Sequence, residues 1–247
     1  MMLERSESQK DDVFYVLDFD RTLGNTDKFH EVLEEIVENE TGVTADELKI
    51  ARAQIEGTGR TFDTVDYVRG ILEQSGNTIP WHVLQNQFIA VARKRDMLEP
   101  HAAELLTMLD DKQLPYGIIT YGNETWQLAK LEAANLFDIP HIVTHIEEKS
   151  QLLQGWKHTS DTFIIPPALT RDFLPLQVHH LVFLDDKAKS FAGIPSGVHG
   201  VHIKAPSGIV LPIQQGSLPS GVDSVIGIEG AIELLFGKQQ THVIDKT

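Results

Sequence analysis

One stretch, Val13 to Asn25 (VFYVLDFDRTLGN), constrains this chain more than any other. The apolar run Val13 to Leu17 delivers Asp18 and, two residues on, Asp20, followed by Thr22 and a Gly24-Asn25 turn. An apolar run bounded by turn residues reads as a buried strand. Side chains alternate along a strand, so Asp18 and Asp20 are expected to leave on the same side, with Phe19 between them. Two like charges held together are costly unless a cation neutralises them or one takes up a proton. The strand end is therefore a candidate metal or catalytic site.

The rest of the chain falls into two regimes. From Lys28 to Arg95 there is no convincing strand. Phe29, Val32, Leu33, Ile36 and Val37 recur at helical spacing, and further helical patterns run from about Ala45, from Phe62 to Leu72 and from Trp81 to Ala92. After Pro100 the pattern alternates. A helix carrying Ala102, Leu105, Leu106 and Leu109 precedes a strand at Tyr116 to Thr120, and a helix with Trp126, Ala129, Ala133 and Leu136 follows. Further strands are expected at Ile142 to Thr144, Leu181 to Leu184 and Val201 to Ile203, with a closing helix from Ile228 to Phe236. Such alternation predicts a mostly parallel sheet, in which ligands bind beyond the carboxyl ends of the strands. Asp18, Asp20, Thr120 and Asp185 all fall at such ends. Residues 1–12 read as a polar leader and 205–227 as an extended loop.

Composition narrows the function class. A formal net charge of −15 disfavours nucleic acid and anionic membranes as partners. The absence of cysteine removes disulfides, thiolate metal sites and a Cys nucleophile. The polar start carries no apolar signal segment and no run is long enough to span a bilayer, so a cytoplasmic location is expected. Neither a GxSxG elbow nor a GxxxxGK[ST] phosphate loop is present. His141 and His145 flank a short strand and have no acidic third ligand at a recognisable spacing.

Asp-x-Asp-x-Thr after a strand (Asp18 to Thr22), Thr120 ending a second strand, a downstream lysine and Asp185-Asp186 ending a later strand together resemble the haloacid dehalogenase (HAD) superfamily. The resemblance covers Val13 to Ile203. It implies a Rossmann-like α/β core, residues 1–24 and 97–247, interrupted by an all-helical C1-type cap, residues 25–96. It also implies Mg²⁺-dependent hydrolysis of a small phosphorylated metabolite. In that reading Asp18 is the nucleophile and forms an aspartyl-phosphate. By resemblance Asp20 protonates the leaving oxygen and then deprotonates water; a purely metal-orienting role is the alternative. Asp18, Asp185 and the backbone carbonyl of Asp20 are hard oxygen ligands suited to Mg²⁺, and Asp186 orients metal-bound water. Thr120, with backbone N–H groups around Tyr121 and Gly122, is expected to cradle the phosphoryl group.

The lysine is Lys149 by its order in the chain, with Lys157 as the alternative. About thirty residues separate Lys149 from Asp185, so an inserted hairpin or flap is expected there. Glu56 to Phe62 reads as a cap loop whose Arg60 could reach a substrate anion. A phosphomutase would use the same residues. A binding or regulatory module that has lost turnover is the reading from outside enzymology. The presence of Asp20 disfavours a dehalogenase.

Overall fold

The computed structural model describes residues 12–56, 63–205 and 218–237. Val13–Asp18 forms β1, and every residue after Val13 in it is buried. That continuous burial, without polar alternation, is what a parallel strand covered on both faces requires. Tyr15 and Leu17 enter one apolar cluster and Phe14 and Val16 the other. β1 lies at the centre of a six-stranded sheet of order β3-β2-β1-β6-β7-β8, in which every pairing is parallel. The partners are β2 (Tyr116–Tyr121), β3 (His141–Thr144), β6 (His180–Asp185), β7 (Val198–Lys204) and β8 (Val222–Ile226). The result is a Rossmann-like α/β fold, as the alternation predicts.

Among the described residues, four helices follow β1 before the chain returns to it at Met97: α1 (Thr26–Thr41), α2 (Ala45–Glu56), α3 (Thr64–Gln74) and α4 (Trp81–Ala92). Asn25 starts α1 by accepting a hydrogen bond from the Lys28 N–H at 3.1 Å. The predicted stripe Phe29, Val32, Leu33, Ile36 and Val37 is buried throughout. The chain leaves for these helices and returns at neighbouring points. Asn25 N–H donates to the Met97 carbonyl at 2.9 Å, and Glu99 N–H donates to the Leu23 carbonyl at 2.8 Å. Gly24 is needed at this crossing, because a Cβ there would lie 2.7 Å from the Phe19 ring and 3.0 Å from Phe29. A side chain would push these two buried rings apart.

The remaining elements are α5 (Ala102–Asp111), α6 (Glu124–Ala133), α7 (Ser150–Trp156), β4 (Phe163–Ile165), β5 (Leu176–Val178) and α8 (Gly227–Phe236). β4 and β5 pair antiparallel as a separate two-stranded sheet within the long segment before β6, where an insertion is expected. One expectation is corrected. The stretch 205–227, read as a loop, contains β8, paired with β7 from Gly200↔Val222 to Lys204↔Ile226. β8 is an edge strand of intermediate and exposed residues, so it lacks the apolar run by which buried strands are read. The expected leader and the Arg60 loop lie, but for Asp12 and Glu56, outside the described residues.

Candidate active site

Parallel pairing brings the carboxyl ends of β1, β2 and β6 to one edge. Asp18 ends β1 and Asp185 ends β6, and the register Leu17↔Leu184 sets them side by side. Asp186 follows in the loop. One oxygen from each of Asp18, Asp185 and Asp186 lies within 4.8 Å of the others, and all three residues are buried. Lys149, immediately before α7 and only 2% exposed, reaches into this cluster. Its Nζ donates to Asp18 Oδ1, and to Asp185 Oδ2 at 2.7 Å. Thr22 Oγ1 donates to the other Asp18 oxygen at 3.0 Å. Lys157 points elsewhere, donating to the Ser196 carbonyl at 2.8 Å.

The charges in the cluster explain its titration. Burial, reinforced by the Asp185 charge and opposed by Lys149, pushes the Asp18 carboxyl up to about 6. Burial and the charges of Asp18 and Asp185 push Asp186 up to about 8. Lys149 pays a desolvation penalty too, yet Asp18 and Asp185 outweigh it and hold the ammonium above its usual range. A cluster in which proton and lysine compete to neutralise carboxylates has the character of a divalent-cation site. Its hard oxygen donors fit Mg²⁺.

Asp20 is handled separately. It lies beyond the end of β1, and its carboxylate is not among the three clustered acids. Oδ1 accepts from Lys130 Nζ and from Thr26 Oγ1 at 2.9 Å, and Oδ2 accepts from Gln127 Nε2 at 3.0 Å. Burial opposes its ionisation, but Lys130 and these donors hold the carboxyl well below the usual range. The two carboxylates of the opening stretch thus each have their own lysine.

Lys130 and Gln127 are the residues that sequence reasoning missed. The signal was present: Lys130 falls inside the apolar stripe Trp126, Ala129, Lys130, Ala133 at i, i+3, i+4 and i+7. A lysine on the buried face of a helix needs a carboxylate. Lys130 is 1% exposed, and its ammonium lies 5.5–6.0 Å from the ring centroids of Phe19, Phe29 and Trp126. His202 was also missed. It is buried on β7 and its Nε2 lies 3.0 Å from the Asp186 carbonyl, fixing the loop that carries that residue.

The groups expected to form the phosphoryl cradle have partners within the protein. Gly122 adopts φ +140°, which favours glycine, but its N–H donates to the Thr144 carbonyl at 3.2 Å and is not free for a ligand. Thr120 is fully buried, and its hydroxyl donates to Gln127 Oε1 at 2.9 Å. Gln127 Nε2 also donates to the Tyr121 carbonyl at 2.8 Å. One amide therefore ties the end of β2 to Asp20.

No protein-family model and no curated protein matches the chain. Solved structures do. A haloacid dehalogenase-like hydrolase from Burkholderia xenovorans LB400 superposes with TM-score 0.58 at 18% identity, covering 90% of this chain and 96% of its own. The HAD hydrolase YfnB from Bacillus subtilis, a structure bound to magnesium, gives TM-score 0.54 at 15% identity over 92% and 99%. A HAD phosphatase from Thermococcus onnurineus gives 0.51 at 18% over 92% and 99%. The fold is that of the HAD-like hydrolases. No helix among the described residues is long and apolar enough to cross a membrane.

Proposed function

We propose that the protein is a Mg²⁺-dependent phosphatase that hydrolyses a small phosphomonoester through an aspartyl-phosphate on Asp18. The observation that carries this reading is the pairing of Asp18 with Lys149 inside a buried cluster of three carboxylates, with Asp20 held apart by a second lysine. The fold it shares with known hydrolases and a phosphatase is consistent with that chemistry. Asp18, Asp185, Asp186 and the Asp20 carbonyl would hold Mg²⁺. When bound, the ion offsets carboxylate repulsion and the charge of the phosphoryl oxygens.

The chain's own residues divide the remaining work. Lys149 and Thr22 fix the Asp18 carboxylate from both oxygens, which orients it for in-line attack. The Lys149 ammonium also offers positive charge to the phosphoryl group as it approaches Asp18. Attack forms the Asp18–phosphorus bond and breaks the bond to the leaving oxygen, which takes from Asp20 the proton that this carboxylate, ionised in the free site, picks up from solvent when the negative phosphoryl group arrives beside it. Asp20 then removes a proton from the water that cleaves the acyl phosphate, restoring Asp18. Lys130, Gln127 and Thr26 are positioning residues for Asp20. The helices α1 to α4 are assigned as a cap over the site, over residues 25–96.

The direct test is hydrolysis of p-nitrophenyl phosphate by purified protein. Release of phosphate with Mg²⁺, lost in EDTA and restored by excess Mg²⁺, is the expected result. Equal rates in EDTA would refute metal dependence, and no turnover of any phosphomonoester would refute the phosphatase assignment. Transfer of the phosphoryl group to a sugar rather than water, seen by product analysis, would identify a mutase.

A second expectation concerns Lys130→Met. Methionine fills the space but removes the cation from Asp20, which keeps Thr26 and Gln127 as partners. Loss of the positioned acid–base group should lower kcat by about 10²-fold or more, with a much smaller change in KM. Steady-state kinetics on p-nitrophenyl phosphate check it, and a kcat within twofold of wild type would show that Lys130 only fills the core.

A further inference from the structure

Lys187 follows directly on the Asp185-Asp186 end of β6, and its backbone N–H donates to Asp185 Oδ1 at 2.8 Å. Its side chain is half-buried, yet among the described residues its ammonium has neither a carboxylate nor a hydrogen-bond partner. The cations around it are engaged. Lys149 holds Asp18 and Asp185, Lys130 holds Asp20, and Lys189 holds Glu147. Lys28 donates to the Asp96 carbonyl at 2.8 Å, and Arg21 stands 3.9 Å from Asp27. A chain of formal net charge −15 has acids in excess, so a half-buried lysine without one is open to an anion from outside.

The sheet order and the electrostatics together show where that charge is directed. β6 and β2 flank β1 on opposite sides, so Lys187 comes from one side of Asp18 and Lys130, on the helix after β2, from the other. Burial raises the Asp18 and Asp186 carboxyls, and the Lys187 charge works against that rise on both. Burial also lowers the Lys130 ammonium, and Lys187 lowers it further. A side chain led away from β1 into water would be screened from Lys130. The Lys187 stem therefore turns over the carboxyl end of β1, towards the groups that carry the reaction.

A phosphoryl group in transfer spreads its charge over three equatorial oxygens, and each is stabilised by a cation or a donor aimed at it. In the phosphatase reading, Mg²⁺ and the Lys149 ammonium serve two of them. The donors expected for the third, the Thr120 hydroxyl and the Gly122 N–H, are engaged with Gln127 and the Thr144 carbonyl. We infer that Lys187 binds the third oxygen, as a catalytic residue whose ammonium does the work expected of the strand-end threonine. This rests on the phosphatase reading and adds a residue to it. The flexible four-carbon stem lets the ammonium follow the oxygens as phosphorus moves from the leaving group to Asp18. Lys187 supplies charge and hydrogen bonds only, and none of its own bonds is made or broken.

Calorimetry on the Mg²⁺-loaded protein tests this with orthovanadate, which takes up the five-coordinate geometry of a phosphoryl group in transfer. Lys187→Gln should raise the orthovanadate Kd by about tenfold or more, and Lys187→Arg, which keeps the charge, should recover most of that loss. Lys189→Gln, two residues on, should leave the Kd within about twofold of wild type. Titration with Mg²⁺ alone separates a ligand contact from a structural role. Removing a cation from beside three carboxylates leaves the Mg²⁺ Kd unchanged or lowers it, whereas a disrupted loop raises the Mg²⁺ and orthovanadate values together. That joint rise overturns the inference. So does an orthovanadate Kd unmoved by Lys187→Gln, an equal rise in Lys189→Gln, or no orthovanadate binding by wild type. Turnover of p-nitrophenyl phosphate by wild type reports separately on the phosphatase reading. Turnover with an unmoved Kd removes Lys187 alone, and no turnover of any phosphomonoester removes the phosphatase reading with it.

Discussion

Asp18→Asn should lower Mg²⁺-dependent hydrolysis of p-nitrophenyl phosphate by about 10⁴-fold or more, with the fold intact. The amide is nearly isosteric with the carboxylate but cannot form an acyl phosphate, so the covalent route is lost outright. Stability is expected to survive. The introduced amide can keep its oxygen towards Lys149 and turn its NH₂ towards Thr22 Oγ1, which accepts as well as donates. Burial already pushes the Asp18 carboxyl up to about 6, so a neutral side chain is tolerated there. The measurements are a kinetic assay and a thermal melt on the same preparation. Wild-type turnover by the variant would remove Asp18 as nucleophile. Loss of turnover together with a collapsed melt would leave the role of Asp18 to mass detection of a phosphorylated Asp18 in quenched wild-type protein, and its absence there would count against the mechanism.

What the sequence made legible follows from local pattern. β1, β2 and β6 are short apolar runs ended by polar residues, and the acids and Thr120 are adjacent to those ends, so position in the chain implied position in space. Lys149 was identified by order alone. Nothing local distinguished it from Lys157, because both flank the seven-residue α7 and only the tertiary fold turns one inward to Asp18 and the other outward to Ser196. Lys130 was legible in principle, since a cation in an apolar helical stripe demands a partner, but its partner lies 110 positions away. Gln127 carries no such signal, because a neutral amide fits either a buried or an exposed helix face. β8 escaped for the opposite reason, since an exposed edge strand has little burial to write into its sequence.

Lys149→Met should produce the largest change in stability. In protein stripped of divalent ions by a chelator, the substitution leaves Asp18, Asp185 and Asp186 facing one another without the ammonium that bonds two of them. Removing one partner from a buried charge cluster costs about 3–5 kcal/mol, or roughly a 10 °C fall in Tm for a chain of this size. The wild-type protein already shows the sign of the pH dependence. Asp18 and Asp186 are pushed up to about 6 and about 8, above the usual carboxylate range. For carboxyls raised in the folded state, the stabilising contribution is complete below their unfolded pKa and is lost as pH rises through the folded values. Chelated wild-type protein should therefore melt at a lower temperature near about pH 8.5 than near about pH 6, and Mg²⁺ should restore most of the difference by stabilising the ionised cluster. Burial pushes His30 and His202 down, so their protonation in the unfolded chain near pH 6 opposes this trend, and comparing melts with and without Mg²⁺ at the same pH removes that contribution. In Lys149→Met the carboxyl pKa values rise further, so the loss of stability with pH steepens and the rescue by Mg²⁺ grows. Melts of both proteins at the two pH values, with and without Mg²⁺, decide the matter. If Mg²⁺ raises Tm equally at both pH values, the three carboxylates are not its site.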